Sequence, residues 1–453
     1  MAWNTQKSTG DKLKLAEWND HITDHGTLST AITNIKTSST SYLIYLDGTT
    51  IKARNGTTGI IDYSGTSAYT IIQSAINACS NGGKIIIKKG IYSCGANVIT
   101  LTEGVYLEGE SRGWFSDLTS GTVLVCNGVN ASNLKDFGVS ELTISANTVT
   151  TGTGLLMGST DPNSRPKFIK LMRLKISGFA TGILGQNYAP DDTTLNDIYI
   201  TNCTTAIAGL SSQTKMFGGA ITLCTTGINL YHAGTVISNI QCFGTVFSTN
   251  NIDITLTGSN NIDACGFYGC WFEAEVTGIL YINPSSAFAV PTIIFSGCGN
   301  LTPGSSYLMD LRGTNYVYCS IIGGTVSASG TVYVDANTRF EAKNIYGEEN
   351  ITLNGTMASP ISYFHEKTVV SPDFAINSTG VKTVNIPHGL RYTPSYSDCS
   401  LTICQGTAVD DWGFNMLKIT GTDATNVYTK VNVSIASATG GAVAKILLRV
   451  GNP

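Results

Sequence analysis

"AYTIIQSAINACSNGGKIIIKKGIYSC", residues 68–94, joins two different patterns within one short stretch of the chain. Its first half places apolar residues from Ile71 to Ala78 at the spacing of one buried helix face. We expect the Gly82-Gly83 pair to end this helix, because glycine readily takes the positive φ found at helix C-termini. The second half, KIIIKKGIY, is apolar, β-branched and interrupted by one glycine, so it predicts two short strands.

The composition favours many short strands separated by tight polar turns. Only 13% of the 453 residues are charged, against about 25% in an ordinary soluble domain, and 49 are glycine. The net charge of −4 gives no indication of a nucleic-acid partner. No apolar run approaches the roughly 18 residues of a membrane span, so no membrane insertion is expected. The N-terminal residues lack an apolar core, so no secretory signal is expected either.

A repeat occupies the middle of the chain. LKISGFATGIL (174–184), IYITNCTTAIA (198–208) and AITLCTTGINL (220–230) are variants of one phrase, each predicting a strand, a turn and another strand. A period of twenty-odd residues with no helix between the strands indicates a solenoid of parallel strands.

Stacked coils place equivalent residues on top of one another, which predicts a column of small apolar side chains. The predicted column contains Phe179, Cys203, Cys224, Cys270 and Cys298. Buried thiols fill such positions as small apolar groups. We therefore favour reduced, buried cysteines over disulfides or metal ligands.

A solenoid exposes strand edges and apolar core at its ends, so its first coil needs a cap. The helix predicted at 69–79 is suited to that task, with KIIIKKGIY as the start of the first coil. The pattern of residues 65–94, followed by ITLTEGVYLEGES at 99–111, resembles the start of the pectate-lyase-like right-handed parallel β-helix superfamily. It is most similar to viral tailspikes and to archaeal surface or virus-associated members. The resemblance covers about residues 40–365 and implies no particular reaction, since the superfamily includes lyases, hydrolases and non-catalytic binders.

The predicted fold class is all-β: a single-stranded right-handed parallel β-helix with a short N-terminal helical segment and a C-terminal antiparallel β domain. A narrow apolar stripe between Leu13 and Ile22 predicts the helical segment, and alternating residues with turn signals predict the C-terminal domain. HGLRYTPS in that domain looks like an element of phage-type tail fibres and spikes. The predicted boundaries are 1–38 for attachment and oligomerisation, 39–66 for a neck, 67–365 for the β-helix and 366–453 for a β-sandwich-like domain.

Carboxylates are the first candidates for sugar chemistry, because glycoside hydrolysis needs a pair of them. In TNNIDITL (249–256), alternation places Ile252 and Ile254 inside and therefore Asp253 outside.

The coil CGFYGCWFEAEVTGILYI has about five extra residues between its cysteine and its Gly-Ile, which we expect to expose Trp271, Glu273 and Glu275. Glu273, Glu275 and Asp253 are the predicted catalytic acids. Trp271 and Tyr268 are predicted to bind sugar, because an aromatic ring stacks on the apolar face of a pyranose.

A second set of acids is the fallback for catalysis: Asp191, Asp192 and the outward-facing Asp197, with Tyr188 as a glycan contact. For Asp191 and Asp192, a role as turn residues is the favoured interpretation. Arg173 and Lys175 are expected on the same outward face as Asp197, where they would bind an anionic sugar or form a solvated surface.

The insertion at 109–124 presents Trp114 as a further glycan contact, in a loop that is either a lid over the helix surface or a contact with a neighbouring chain. No tight aspartate cluster is visible for Ca²⁺, which disfavours a lyase. His21 and His25 lack the neighbouring glutamate of a zinc protease and fit a solvated helix face. No metal or cofactor is expected.

The resemblance implies a virion tailspike: a receptor-binding homotrimer that recognises host cell-surface polysaccharide, with cleavage by a glycoside hydrolase activity left open. Residues 1–38 would attach it to the virion tail or baseplate. A non-enzymatic structural or adhesive surface protein is the main alternative, and a secreted polysaccharide lyase or hydrolase is the third. The expected location is the virion or the extracellular space, reached without a signal peptide.

Overall fold

The three-dimensional structure is a computed structural model, and its description covers the β-helical region and the strands that follow it. The described residues are 40–113, 120–159, 168–185, 193–209, 213–230, 240–257, 264–283, 292–302, 304, 306–312, 317–347 and 350–355, with strands between 367 and 450. The predicted segment 1–38 and the predicted boundary near 365 lie outside them.

The described chain forms one helix, α1 (Ala68–Ala78), and a long series of strands. The strands of the first part are β1 (Tyr42–Asp47), β2 (Thr50–Asn55), β3 (Ile61–Gly65), β4 (Gly83–Ile87), β5 (Gly90–Ser93), β6 (Ile99–Thr100), β7 (Val105–Gly109), β8 (Thr122–Cys126), β9 (Val129–Asn130), β10 (Asp136–Ser140), β11 (Thr143–Ala146), β12 (Thr153–Met157), β13 (Phe168–Met172), β14 (Lys175–Ser177), β15 (Thr181–Gly185), β16 (Thr193–Asn196) and β17 (Tyr199–Thr201). They continue as β18 (Thr205–Ala208), β19 (Lys215–Phe217), β20 (Ala220–Thr222), β21 (Thr226–Leu230), β22 (Ile240–Phe243), β23 (Val246–Ser248), β24 (Ile252–Leu256), β25 (Ala264–Tyr268), β26 (Trp271–Glu273), β27 (Gly278–Ile282), β28 (Thr292–Ser296), β29 (Met309–Asp310), β30 (Val317–Ile322), β31 (Gly330–Tyr333), β32 (Thr338–Lys343) and β33 (Ile351–Asn354).

These strands wind into a parallel β-helix with three sheets. Sheet A has 14 strands in the order β3-β2-β1-β4-β7-β10-β13-β16-β19-β22-β25-β28-β30-β32. Sheet B has eight, in the order β5-β8-β11-β14-β17-β20-β23-β26. Sheet C has eleven, in the order β6-β9-β12-β15-β18-β21-β24-β27-β29-β31-β33. Along most of the helix, every third strand of the chain joins the same sheet, and the coil-to-coil pairs are parallel, as in Leu171↔Leu195 and Ile176↔Ile200. The predicted fold class is confirmed by this pairing.

Helix α1 covers the open end of the first coil, as predicted. Ser67 caps its N-terminus by accepting a hydrogen bond from the Thr70 N–H at 3.3 Å. The buried face includes Ile71, Ile72 and Ile76, each worth about 1.5–3 kcal/mol when fully buried. The Gln73 side chain also pairs with the backbone of Thr100, donating to its carbonyl at 2.8 Å and accepting from its N–H at 2.9 Å. The Gln73 amide therefore provides hydrogen-bond partners for backbone groups of β6, the edge strand of sheet C. Within the described residues, no helix is long and apolar enough to cross a membrane.

The Gly82-Gly83 pair has a different role from the predicted one. The helix ends at Ala78 with Cys79 as its C-cap, before the glycines are reached. Gly83, with φ +157°, instead starts β4 close to the neck strand, where an added Cβ would lie 2.2 Å from Ser41 Oγ. Close contact with the Ser41 side chain and the positive φ, rather than helix termination, require glycine here.

All ten cysteines described with side chains are buried and free, as predicted, but they do not share one column. Phe179, Cys203 and Cys224 lie at the corner between sheets B and C. Cys270 and Cys298 lie at the corner between sheets A and B. The sequence around these residues is similar at both corners, because each corner places one side chain inside the coil. The sequence alone therefore did not separate the two corners.

The C-terminal strands form two antiparallel sheets, consistent with the predicted antiparallel domain. They are β34 (Lys367–Val370), β35 (Phe374–Ala375), β36 (Gly380–Pro387), β37 (Cys399–Gln405), β38 (Trp412–Thr422), β39 (Asn426–Ile435) and β40 (Val443–Val450). One sheet contains β34, β35, β37 and β40, and the other has the order β36-β39-β38.

Candidate functional site

Trp271 and Glu273 lie on the outer face of sheet B, on its last strand, β26. Trp271 is 45% exposed, and its Nε1–H donates to Glu273 Oε2 at 2.7 Å. The indole lies over Gly299 of the next coil, where an added Cβ would be 2.6 Å from Trp271 Cε3. A glycine at 299 therefore makes room for the ring. The predicted exposure of Trp271 is confirmed, and Glu273 is half-buried beside it.

The predicted exposure of Asp253 is wrong, because its side chain is fully buried. In these strands of sheet C the second and third residues both point inward, so strict alternation fails there. The register places Asp253 in the column of Gly227, and Ile252 in the partly exposed column of Thr226. Gly182 and Ala206 hold the same inward position in earlier coils. The aspartate thus occupies a place otherwise held by glycine or alanine.

The predicted exposure of Glu275 is also wrong, because this residue is 6% exposed. It follows Ala274, whose φ is +57°. In earlier coils Cys203, Cys224 and Asn250 likewise follow residues with φ between +55° and +58°. One left-handed residue turns the chain so that the next side chain points into the coil. Glu275 is therefore the last polar member of a corner column that begins with thiols.

Asp253 and Glu275 form a buried pair of acids. Asp253 Oδ1 accepts a hydrogen bond from Asn250 Nδ2 at 2.8 Å, and Asn250 Oδ1 accepts from the Cys224 N–H at 2.9 Å. Asp253 Oδ2 and both Glu275 carboxyl oxygens are buried without a partner among the amide, hydroxyl and cationic donors.

Burial raises the pKa of both carboxyls. It raises the pKa of Glu275 to about 7, and it raises that of Asp253 well above its usual range, with the charge of Glu275 adding to the effect. Neither acid can reach a polysaccharide lying on the surface. Of the predicted catalytic acids Glu273, Glu275 and Asp253, only Glu273 reaches the surface of this coil.

Tyr268 lies on sheet A, and Gly269 and Cys270 form the corner that separates it from Trp271 on sheet B. It belongs to a stack that the sequence analysis missed, with Phe217 and Phe243 in the two preceding coils. Ring centroids are 5.1 Å apart in both the Phe217–Phe243 and the Phe243–Tyr268 pairs. Phe217 is 40% exposed. We call these three residues the aromatic ridge.

A weak sequence signal for the ridge exists. Each of the three aromatic residues precedes a glycine with positive φ, namely Gly218, Gly244 and Gly269. The recurring aromatic-Gly pair therefore marks the end of a sheet A strand with an outward aromatic residue.

Arg173 and Asp197 occupy equivalent corners of consecutive coils, as expected, but both are paired. Arg173 forms an ion pair with Glu141. Asp197 Oδ2 lies 2.9 Å from Arg112 Nη2, and its carbonyl accepts from Arg112 Nη1 at 2.6 Å. Lys175 is only 2% exposed, so its predicted place on an exposed face is wrong.

The described part of the 109–124 insertion that includes Arg112 lies over the surface of the β-helix. The Arg112 side chain pairs with Asp197, and the Arg112 carbonyl accepts a hydrogen bond from Thr143 Oγ1 at 2.8 Å. The middle of this insertion lies outside the described residues, so the lid and the contact with a neighbouring chain both stay predictions. Trp114, Tyr188, Asp191 and Asp192 lie outside the described residues. No group of three or more potential metal ligands occurs in the described part of the chain.

A further polar and aromatic cluster on sheet C was not predicted. Arg312 forms a bidentate pair with Asp310, at 2.9 Å from Nε to Oδ1 and 2.7 Å from Nη2 to Oδ2. Its guanidinium lies 4.5 Å from the ring centroid of Tyr333. No motif in the sequence marks it, because Tyr333 comes from the following coil and only the strand register places it beside Asp310 and Arg312.

No protein-family profile matches the sequence, and no curated protein matches it. Solved structures similar to it include a mutant tailspike of E. coli bacteriophage HK620 in complex with a pentasaccharide, at 12% identity, with 85% of this chain and 90% of that chain covered and a TM-score of 0.38. The tailspike of Acinetobacter baumannii phage AM24 is 10% identical over 85% of this chain and 80% of that one, with a TM-score of 0.31. The phiAB6 tailspike, in complex with oligosaccharides of A. baumannii surface polysaccharide, is 10% identical over 83% and 84%, with a TM-score of 0.30. These scores are below 0.5, so the fold assignment depends on the strand pairing alone.

Proposed function

We propose that this protein is a virion tailspike that binds host cell-surface polysaccharide on the outer face of its β-helix. The observation that supports this most directly is the coil containing Tyr268, Trp271 and Glu273. It presents an exposed indole hydrogen-bonded to a carboxylate on one side of a corner, and the end of the aromatic ridge on the other.

Sugars present both apolar C–H faces and hydroxyl groups, and a binding surface for them combines aromatic rings with a few fixed polar groups. Trp271 supplies an exposed ring, and its hydrogen bond fixes one oxygen of Glu273. The other carboxylate oxygen can accept from a sugar hydroxyl. Because the ridge spans three coils, this surface suits a chain of sugars better than a single small ligand.

Binding is the activity that this surface supports. Hydrolysis of a glycosidic bond normally needs two carboxyl groups about 5–10 Å apart on either side of that bond. Glu273 reaches the surface, whereas Glu275 and Asp253 are buried. The fallback Asp197 is paired with Arg112. We therefore propose recognition without cleavage by the predicted acids that the structure describes, Glu273, Glu275, Asp253 and Asp197.

Homotrimerisation and attachment to a virion tail or baseplate through residues 1–38 belong to the same proposal. Their support is the apolar stripe of that segment and the resemblance of residues 65–111 to tailspike-like β-helices. A virion-associated, extracellular location follows from that role.

The test is to incubate the purified protein with an array of microbial cell-surface polysaccharides and to measure both binding and release of oligosaccharides. We expect binding to a narrow set of polysaccharides and no release. Release that Glu273→Gln abolishes would show that the protein is an enzyme and that Glu273 acts in cleavage. Absence of binding to every polysaccharide would favour the alternative, a structural surface protein.

A further inference from the structure

A second surface on sheet A, near the capped end of the β-helix, is distinct from the coil of Trp271. It is an open cleft of about 380 Å³ on the outer face of the first coils. Its lining combines glycine backbone with one aromatic and several polar side chains: Gly83, Lys84, Gly104, Tyr106, Glu108, Gly138, Ser140 and Lys170.

Tyr106 is fixed across the floor of this cleft. Its hydroxyl donates to Asp136 Oδ1 on the next coil at 2.6 Å. The side chain passes over Gly138, where an added Cβ would lie 2.4 Å from Tyr106 Cδ1. The hydrogen bond to Asp136, together with burial, raises the pKa of Tyr106 to about 12, so the phenol keeps its proton and the bond at neutral pH. The hydrogen bond to Asp136 and the packing over Gly138 hold the ring in one position against the sheet, where Tyr106 is 36% exposed.

The two lysines that line the cleft differ in whether they are paired. Lys84 Nζ lies 3.0 Å from Glu108 Oε2, so these two neutralise each other. Lys170 is exposed and, among the described residues, has neither an ion-pair nor a hydrogen-bond partner. Lys170 is therefore the cation of the cleft lining that has no partner, while the carboxylate of Asp136 already accepts the hydrogen bond of the Tyr106 hydroxyl.

The same column of sheet A presents a second such cation. Lys170 pairs in register with Thr194, and Thr194 pairs with Lys215. Lys215 is exposed, and in the described part of the chain it also has no partner. Neighbouring strands lie about 4.8 Å apart, so the backbone positions of the two lysines lie about 10 Å apart along the helix axis. The exposed Thr194 lies between them. Phe217, the first member of the aromatic ridge, is two residues from Lys215 on the same outer face.

We propose that this column binds an acidic saccharide chain, that is, a polysaccharide whose sugars bear carboxylate groups. One sugar lies against Tyr106 with its carboxylate on Lys170, and a later carboxylate of the same chain pairs with Lys215. The polymer then runs along the helix axis toward the aromatic ridge. This proposal depends on the proposed polysaccharide-binding function and names its ligand class.

The test uses the array of microbial polysaccharides, half of them acidic, together with the same polymers after reduction of their carboxylates to alcohols. We expect the polysaccharides that bind to be acidic and to lose most of their binding on reduction. Lys170→Gln and Lys215→Gln should each weaken binding about threefold to fivefold, and the double variant should combine both losses. Lys89→Gln, which removes an exposed lysine at the corner between β4 and β5, should bind as the parent does.

The two proposals fail in different ways. If a polysaccharide binds but is neutral, survives carboxyl reduction unchanged or binds both lysine variants as well as the parent, the acidic-saccharide proposal is overturned while polysaccharide recognition stands. If no polysaccharide binds, both are overturned. Melting curves of the variants equal to that of the parent would exclude misfolding as the cause of lost binding.

Discussion

The carboxyl groups of Asp253 and Glu275 interact inside the β-helix, one from a strand of sheet C and the other from the corner of the following coil. Asn250 donates to Asp253, and Cys224 and the partly exposed Glu273 are the other titratable groups near the pair. Two buried acids this close cannot both ionise at low cost, so a proton shared between them is the stable arrangement.

This pair makes stability depend on pH. The folded state raises both pKa values, so the folded protein binds more protons than the unfolded chain above about pH 4. Stabilisation is complete below the unfolded pKa values. For Glu275 it is lost as pH rises from there to about 7, and for Asp253 the loss begins at its unfolded pKa and continues to higher pH until that carboxyl ionises. We expect Glu275 alone to account for about 2–3 kcal/mol of the stability that the parent loses between pH 5 and pH 8.5, with Asp253 adding to this loss.

Glu275→Gln removes the ionisation near pH 7 and should make the unfolding midpoint less dependent on pH over this range. Equal pH slopes in the parent and in the Asp253→Asn and Glu275→Gln variants would contradict the shared proton. Thermal unfolding at half-unit pH steps measures the slopes, and pH 5 serves as the reference at which each variant is compared with the parent.

Trp271→Ala should weaken polysaccharide binding about fivefold to tenfold without lowering the melting temperature, because the ring is exposed and its loss leaves no cavity. Tyr346→Ala is the matched control, since Tyr346 is 81% exposed on the same β-helix but far along the chain from this coil. Titration of a bound polysaccharide measures both. Equal affinity in the parent and Trp271→Ala would remove this coil from the binding surface.

Gly299→Ala tests the position of the same ring from beneath. A methyl group there would lie 2.6 Å from Trp271 Cε3, so the indole must move and its hydrogen bond to Glu273 must lengthen. We expect weaker binding, by about threefold, together with a changed tryptophan emission. Gly65→Ala is the control, because its added Cβ meets only Ile71 Cδ1 at 3.6 Å. An unchanged affinity in Gly299→Ala would show that the ring's present position is not required.

The sequence alone was sufficient for the fold, because a repeat of parallel strands and a capping helix have strong local patterns. It was not sufficient for the direction of side chains at corners. Asp253 and Glu275 break the alternation rule, since one follows a corner with two inward positions and the other follows a left-handed residue. Those backbone angles depend on the coil above and below, which a single segment does not encode.

Surface sites that combine several coils were equally inaccessible to sequence reasoning. Phe217, Phe243 and Tyr268 are more than twenty residues apart, and Tyr106 and Lys170 are farther still. Only the strand register brings each set together. A period near twenty-five residues predicts that such columns exist, but the varying coil length prevents their members from being identified without the structure.

The buried cysteines predict a strong contrast in thiol reactivity. Ten described thiols are free and buried, and burial raises the pKa of Cys94 to about 12 and that of Cys126 to about 11. Thiolates are the reactive species, so native protein should react slowly with an aromatic disulfide reagent, and denatured protein should react at nearly all of its 12 cysteines. If most thiols are already oxidised in denatured protein, the apolar-filler role is wrong.

Deletion of residues 1–38 tests the role of the N-terminal segment. The β-helix should stay folded, because its cap α1 and the strands β1 to β3 all follow that segment. Light scattering should give three times the chain mass of 47.9 kDa for the parent and a single chain for the truncated protein.

Leu15→Glu combined with Trp18→Glu keeps the segment but disrupts its apolar stripe, so this variant should also be monomeric. A monomeric parent would contradict the homotrimer. Loss of cooperative melting in the truncated protein would instead show that residues before 39 are part of the folded β-helix, because removing an independent attachment segment exposes no core.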